Sequence, residues 1–167
     1  EMHNCLVCSE MCIRDSYKTN PDEIYNLAAQ SHVKISATIP EYTANITGLG
    51  SLRILEIIRF YKKKKIKFYQ ASSSEMFGSS KPPQSETTTF SPCSIYAISK
   101  IFSFHTVKYY RDAYKIHACN GILFNHESPR RGVNFVTKKI INGLLRIKKK
   151  KQKILFLGNL DATRDWG

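Results

Sequence analysis

Four consecutive lysines at positions 62–65 give way to Ile66, Phe68 and Tyr69, and these in turn to the hydroxyl-rich run Ala71-Ser72-Ser73-Ser74-Glu75. A short apolar run hemmed in by charge on one side and hydroxyls on the other reads as a buried strand that ends as the hydroxyls begin. In open parallel sheets, ligands bind in the crevice outside the carboxyl ends of the strands. Ser73 and Glu75 therefore stand where chemistry is expected. Downstream, beyond a link rich in Pro, Ser and Thr, Tyr96 and Lys100 lie four residues apart in a stretch of Ala, Ile, Ser and Phe that reads as helix. That spacing puts both on one helix face. A lysine ammonium beside a phenol favours the phenolate, which brings tyrosine toward use as a base near neutrality.

The remainder of the chain supplies a frame for this pair. A strand is expected at 24–27, running into the small residues Ala28 and Ala29, which would let a ligand approach the backbone. Pro40 and Glu41 open a helix whose apolar side is Leu49, Leu52, Ile54, Leu55, Ile57 and Ile58; Gly48 and Gly50 weaken it unless close packing uses them. A helix over about 94–115 leads to a strand at 118–124 and a loop at 125–132 that gathers Asn125, His126, Arg130 and Arg131, donors suited to phosphates. A helix at 133–147 and a strand at 154–157 follow. Strands alternating with helices indicate an α/β fold, a doubly wound parallel sheet of the Rossmann type with helices on both faces. Such a fold should open with a Gly-rich turn after its first strand, and these 167 residues contain none. The sequence therefore reads as a fragment that lacks the first, Gly-rich strand-turn-helix unit.

The net charge of +13 is concentrated, with eight charges in the runs at 62–65 and 148–151. These runs lack interleaved aromatics, so solvated connections are the favoured reading over a nucleic-acid surface. Five cysteines and no secretory signal suggest reduced thiols and a cytoplasmic protein. Cys5, Cys8 and Cys12 lack a second half at zinc spacing, and no metal site is expected. No apolar run reaches transmembrane length. Residues 1–16 show no clear period and read as a disordered or foreign tail, leaving 17–167 as a partial catalytic domain.

The order strand, Ser-Ser-Ser-Glu, then Tyr-x-x-x-Lys resembles the extended short-chain dehydrogenase/reductase superfamily. The wording of Glu23-Ile24-Tyr25-Asn26-Leu27-Ala28-Ala29-Gln30-Ser31-His32-Val33, of Asn125-His126-Glu127-Ser128-Pro129-Arg130-Arg131-Gly132 and of Arg164-Asp165-Trp166-Gly167 resembles the GDP-mannose 4,6-dehydratases within it. The resemblance implies an NADP-dependent lyase that converts GDP-mannose to its 4-keto-6-deoxy product, a homo-oligomer when full length. It implies catalytic roles for Ser73, Glu75, Tyr96 and Lys100, cofactor contacts from Leu27, Ala28, Ala29, Gln30, Ser31, Tyr42, Lys100, His126 and Arg131, and a substrate contact from Asn125. Serine at position 73, where the family more often has threonine, keeps the hydroxyl with a freer rotamer.

Under this resemblance the chemistry has a clear logic. The C5 proton of a hexose is too weakly acidic to remove until C4 is oxidised, so a nicotinamide must serve as a transient hydride store. Tyr96 would take the C4 hydroxyl proton, Lys100 would lower the Tyr96 pKa and hold the nicotinamide ribose, Ser73 would hydrogen-bond the C4 oxygen, and Glu75 would remove the C5 proton and help the C6 hydroxyl leave. Without a Gly-rich phosphate cradle, residues 1–167 alone are expected to show little turnover. Two other readings stand beside this one: another sugar-nucleotide epimerase or dehydratase of the same fold, and a non-catalytic fragment or basic interaction module.

Overall fold

The computed structural model describes residue 15 and residues 18–60, 65–161 and 163–167. The expected tail at 1–16, its three cysteines and most of the first lysine run lie outside the described residues, apart from Asp15. The chain divides into two compact units, Glu1–Leu123 and Phe124–Gly167.

In the first unit, strand β1 (Glu23–Asn26) is followed by a short helix α1 (Val33–Ser36), then by helical turns in unbroken succession: α2 (Pro40–Thr43), a π-helical turn (Ala44–Leu49) and α3 (Gly50–Phe60). Strand β2 (Lys67–Ser73) runs into a 3-10 turn (Ser74–Met76). Helix α4 (Ile95–Tyr114) and strand β3 (Ala118–Leu123) complete the unit. All strand pairs are parallel in the order β1-β2-β3, with Ile24, Phe68 and Ala118 in one row and Asn26, Gln70 and Asn120 in the next row but one.

Consecutive parallel neighbours demand crossover helices, and right-handed crossovers taken in one direction put both connections on the same face. The packing agrees. Leu55 and Ile58 of α3, Val107 and Tyr110 of α4, and Ile66, Phe68 and Ala118 of the sheet form one buried cluster. This three-stranded part of the doubly wound arrangement thus displays one of its helical layers. The opposite face carries Tyr25 and Cys119, both exposed.

Helix α4 starts where Ser94 caps it, its Oγ accepting from the Ala97 amide at 3.1 Å, and stops at Lys115, whose φ of 55° lies in the left-handed region. Gly48 is buried against α4, where a Cβ would make about a van der Waals contact, 3.4 Å, with the Phe102 ring. The helix opens at Pro40 as expected.

The structure corrects two expectations. The hydroxyls do stand at the carboxyl end of the strand, but they do not leave the core: β2 continues through Ser73, and Gln70, Ser72 and Ser73 are all buried. The reason is a set of polar partners within the sheet. Asn26 Nδ2 donates to Gln70 Oε1 at 2.8 Å, Ser72 Oγ donates to Asn120 Oδ1 at 3.2 Å, and Asn120 Nδ2 donates to the Phe104 carbonyl of α4 at 3.2 Å. Buried polar groups are tolerated when paired, so polarity alone did not mark an exit from the core.

The second correction lies in the second unit. Helix α5 (Val136–Lys148) is present, beginning three residues later than expected, but residues 154–157 form no strand among the described residues. Leu155 instead packs on α5 at Gly143, where an added Cβ would come within 2.7 Å of the leucine. The four lysines at 148–151 sit at the carboxyl end of α5, exposed, where cations oppose the helix dipole favourably.

Candidate active site

Four candidates meet at the carboxyl end of β2. Ser73 is the last residue of the strand, and its Oγ accepts the Glu75 amide at 3.2 Å, capping the 3-10 turn. This bond uses an oxygen lone pair and leaves the serine O–H as a donor. Glu75, half-buried, rides on that turn, which is anchored by the fully buried Met76 and by Phe77. Gly78 then takes a φ of 51° so that the chain can double back: the Ser79 amide donates to the Ser91 carbonyl at 3.0 Å, and the Ser91 amide donates to the Met76 carbonyl at 3.2 Å. The long link is closed at its neck by these bonds. Phe90 secures it further, packed between Phe77 and the edge of Phe104 of α4.

Helix α4 packs against β2, β3 and the 3-10 turn, bringing Tyr96 and Lys100 to the same end of the sheet. Both are buried, Lys100 to 2% exposure. The Lys100 Nζ donates to the Ala71 carbonyl at 2.6 Å and lies 5.8 Å from the centre of the Tyr96 ring. Burial disfavours its charged form and lowers its pKa to about 8. At neutral pH about nine in ten of these side chains still carry the proton. A buried ammonium beside a phenol is thus available as a fixed positive charge. The helical spacing of Tyr96 and Lys100 is as read from the sequence.

Beyond β1, the expected cofactor segment is an open stretch. Leu27 is 66% exposed, Ala28 and Ser31 are exposed, and Ala29 and Gln30 are half-buried. The Ala28 amide donates to Asn26 Oδ1 at 3.3 Å, and the Gln30 amide donates to Thr47 Oγ1 at 3.2 Å. Tyr42 projects from α2 at 56% exposure. Sequence reasoning missed Thr43 and Thr47, both fully buried on the helical turns beneath Gln30. Their spacing of four along a helix that also carries Gly48 and Ser51 is the signal that could have found them.

The remaining candidates lie in the second unit. The Asn125 backbone pairs with Trp166 in an isolated parallel bridge, and its carbonyl accepts the Gly167 amide at 2.7 Å. His126 is exposed, its Nδ1 3.1 Å from the Phe124 carbonyl. The Arg131 guanidinium lies 3.9 Å from the centre of the Phe135 ring, with its Nε 3.5 Å from the Glu127 carboxylate. Stacking on the ring and the adjacent carboxylate fix the plane of the guanidinium. Among the described residues no group of His, Cys, Asp and Glu could hold a metal ion, and no helix is long and apolar enough to cross a membrane.

Comparison with known proteins extends the picture. The profile described as GDP-mannose 4,6 dehydratase matches residues 7–167. GDP-mannose 4,6 dehydratase 1 of Arabidopsis thaliana is 60% identical over 150 residues, 88% of this chain and 42% of the relative. GDP-mannose 4,6-dehydratase of Vibrio cholerae is 56% identical over 152 residues, 90% of this chain and 41% of the relative. The chain thus spans about two fifths of the length of these curated relatives. Among solved structures, RMD of Pseudomonas aeruginosa complexed with NADPH aligns with a TM-score of 0.79 at 25% identity, covering 87% of this chain and 51% of that one. UDP-glucose 4-epimerase of Thermotoga maritima with UDP-glucose aligns with a TM-score of 0.81 at 25% identity, covering 95% of this chain and 51% of that one.

Proposed function

The chain belongs to the GDP-mannose 4,6-dehydratase family, and from that membership we propose that the protein carrying it is an NADP-dependent hydro-lyase acting on GDP-mannose. The observation that carries the proposal is the cluster at the end of β2: a serine hydroxyl and a carboxylate on one turn, and a buried tyrosine and lysine on the adjoining helix. An acid-base tyrosine, a fixed cation and a second carboxylate are what a dehydration through a ketone requires.

The residues fit a nicotinamide nucleotide. Lys100 is a buried cation at the ligand-binding edge of a parallel sheet, and Leu27, Ala28, Ala29, Gln30 and Ser31 present an open stretch of backbone at the same edge. Tyr42 offers an exposed ring; His126 and Arg131, in the second unit, are assigned to the phosphates or ribose from the family resemblance alone. When bound, the nicotinamide supplies a reversible hydride acceptor. The protein's own groups do the rest. Ser73 donates to the C4 oxygen and orients it, while Tyr96 accepts the C4 hydroxyl proton. Lys100 favours the phenolate form of Tyr96, which is the form able to accept that proton. The resulting C4 ketone makes the C5 proton acidic, so Glu75 removes it and passes a proton to the departing C6 hydroxyl, which leaves as water; return of the stored hydride to C6 and of a proton to C5 would complete the 4-keto-6-deoxy product. Asn125 is assigned to the substrate diphosphate.

A plain 4-epimerase, the activity named for one structural neighbour, would need Tyr96, Lys100 and Ser73 but has no C5 proton to remove. Glu75→Gln in the full-length protein separates the two readings. With GDP-mannose the variant should accumulate reduced cofactor, seen by its absorbance. Release of the 6-deoxy product and incorporation of solvent deuterium at C5 should both fall by about two orders of magnitude, the scale for loss of a general base. Dehydration at a near normal rate would assign the base elsewhere and withdraw the proposal.

A further inference from the structure

Thr47 sits in the π-helical turn with two contacts that lead in opposite directions. Its hydroxyl accepts the Gln30 amide at 3.2 Å, and its carbonyl accepts the Ser103 hydroxyl of α4 at 2.7 Å. Thr47 is 1% exposed and Ser103 is fully buried. Four residues earlier, the buried Thr43 lies 3.4 Å through its Oγ1 from Gln30 Oε1. Ser51 Oγ reaches Ser103 Oγ at 2.8 Å, and Ser103 Oγ is also 3.1 Å from the Ser99 carbonyl. Ser99 precedes Lys100. A short path of hydrogen bonds therefore joins the open segment after β1 to the helix that carries Tyr96 and Lys100.

We infer that Thr47 is a positioning residue that sets the Gln30 segment in register with the Tyr96–Lys100 helix, so that a dinucleotide held by one is presented to the other. This inference rests on the cofactor reading given above. Helical threonines ordinarily turn the hydroxyl back to their own preceding turn. Here the Thr47 hydroxyl serves a main-chain amide from outside the helix, in a π-helical turn of the kind that recurs at functional sites. Thr43 supports the same glutamine from the preceding turn. Packing alone does not ask for a hydroxyl at Thr47, since valine would fill the same volume, but valine would leave the Gln30 amide without its acceptor.

The test compares Thr47→Val, which keeps the shape and removes the acceptor, with Thr47→Ser, which keeps the acceptor. Both are made in the full-length protein. Amide hydrogen exchange over residues 27–33 and the affinity for NADP, titrated without substrate, are measured for each. Thr47→Val should exchange faster over 27–33 and bind NADP on the order of several-fold more weakly, the scale for one hydrogen bond lost at a half-buried donor. Thr47→Ser should restore both. Unchanged exchange and affinity in Thr47→Val would overturn the inference, as would equal losses in the two variants, which would mean that any change at this buried position disturbs the packing and that the acceptor has no separate role. Failure of the unaltered protein to bind a dinucleotide would overturn the cofactor reading itself and this inference with it, and that outcome is distinct because it precedes any substitution.

Discussion

Burying Lys100 makes a quantitative claim about pH. Its folded pKa of about 8 lies below the ordinary lysine value of 10.5, and desolvation is the cause. Between these two values the unfolded chain holds more protons than the folded one, so stability rises with pH through that window. The full shift corresponds to about 3 kcal/mol, and about 2 kcal/mol of it is recovered between pH 7 and pH 9.5. Lys100→Met removes the titrating group while keeping an unbranched side chain. The Ala71 carbonyl that accepts from Lys100 also lies 3.1 Å from Gln70 Nε2, so the substitution leaves it a donor. Urea unfolding followed by circular dichroism at the two pH values, in the full-length protein with and without the substitution, isolates the Lys100 contribution because other groups cancel. The unaltered protein should gain about 2 kcal/mol more than Lys100→Met on going to the higher pH. Parallel responses would refute the reasoning by showing that Lys100 is solvated as an ordinary lysine.

Other expectations are more direct. Tyr96→Phe should depress turnover by about two orders of magnitude or more while leaving NADP affinity nearly intact, whereas Arg131→Ala should weaken NADP binding; equal affinity losses in steady titrations would show the two assignments to be wrong. Gly78→Ala should destabilise the fold by about 3 kcal/mol, because a Cβ there would fall 1.9 Å from the Ser91 carbonyl oxygen on a backbone already at positive φ. An unfolding midpoint unchanged by Gly78→Ala would mean that the neck of the link at Ser79 and Ser91 opens readily.

Much of the architecture could be read from residue order because it rests on local signals. Pro40 and Ser94 mark helix starts through backbone chemistry that needs no tertiary partner. The spacing of Tyr96 and Lys100 is likewise a local property of a helix. What escaped the reading depends on distant neighbours. Gln70 and Ser72 look like the end of a core until Asn26 and Asn120 are seen beside them, 44 and 48 positions away in sequence. Thr47 looks like an indifferent helical residue until Gln30, 17 positions earlier, is seen to donate to it. Residues 154–157 show the opposite case: an apolar run suited to a strand, whose Leu155 instead packs on the helix surface at Gly143. Periodicity reports which side of an element is apolar, and it is silent on which polar groups will find each other.

The amides that cross the sheet have a consequence for how the three strands align. Sliding one strand past its neighbour by two residues would keep every side chain on its original face, so hydrophobic alternation alone offers little resistance to it. The side-chain pairs do resist. A two-residue slip would carry Gln70 away from Asn26 and Ser72 away from Asn120, leaving buried amides unpaired at about 1–3 kcal/mol each. It would also shift Ser73 and Glu75 by about 7 Å along the strand direction. The polar row thus acts as a key that admits one alignment, the one in which the strand's hydroxyl and carboxylate stop level with the tyrosine and lysine of the adjoining helix.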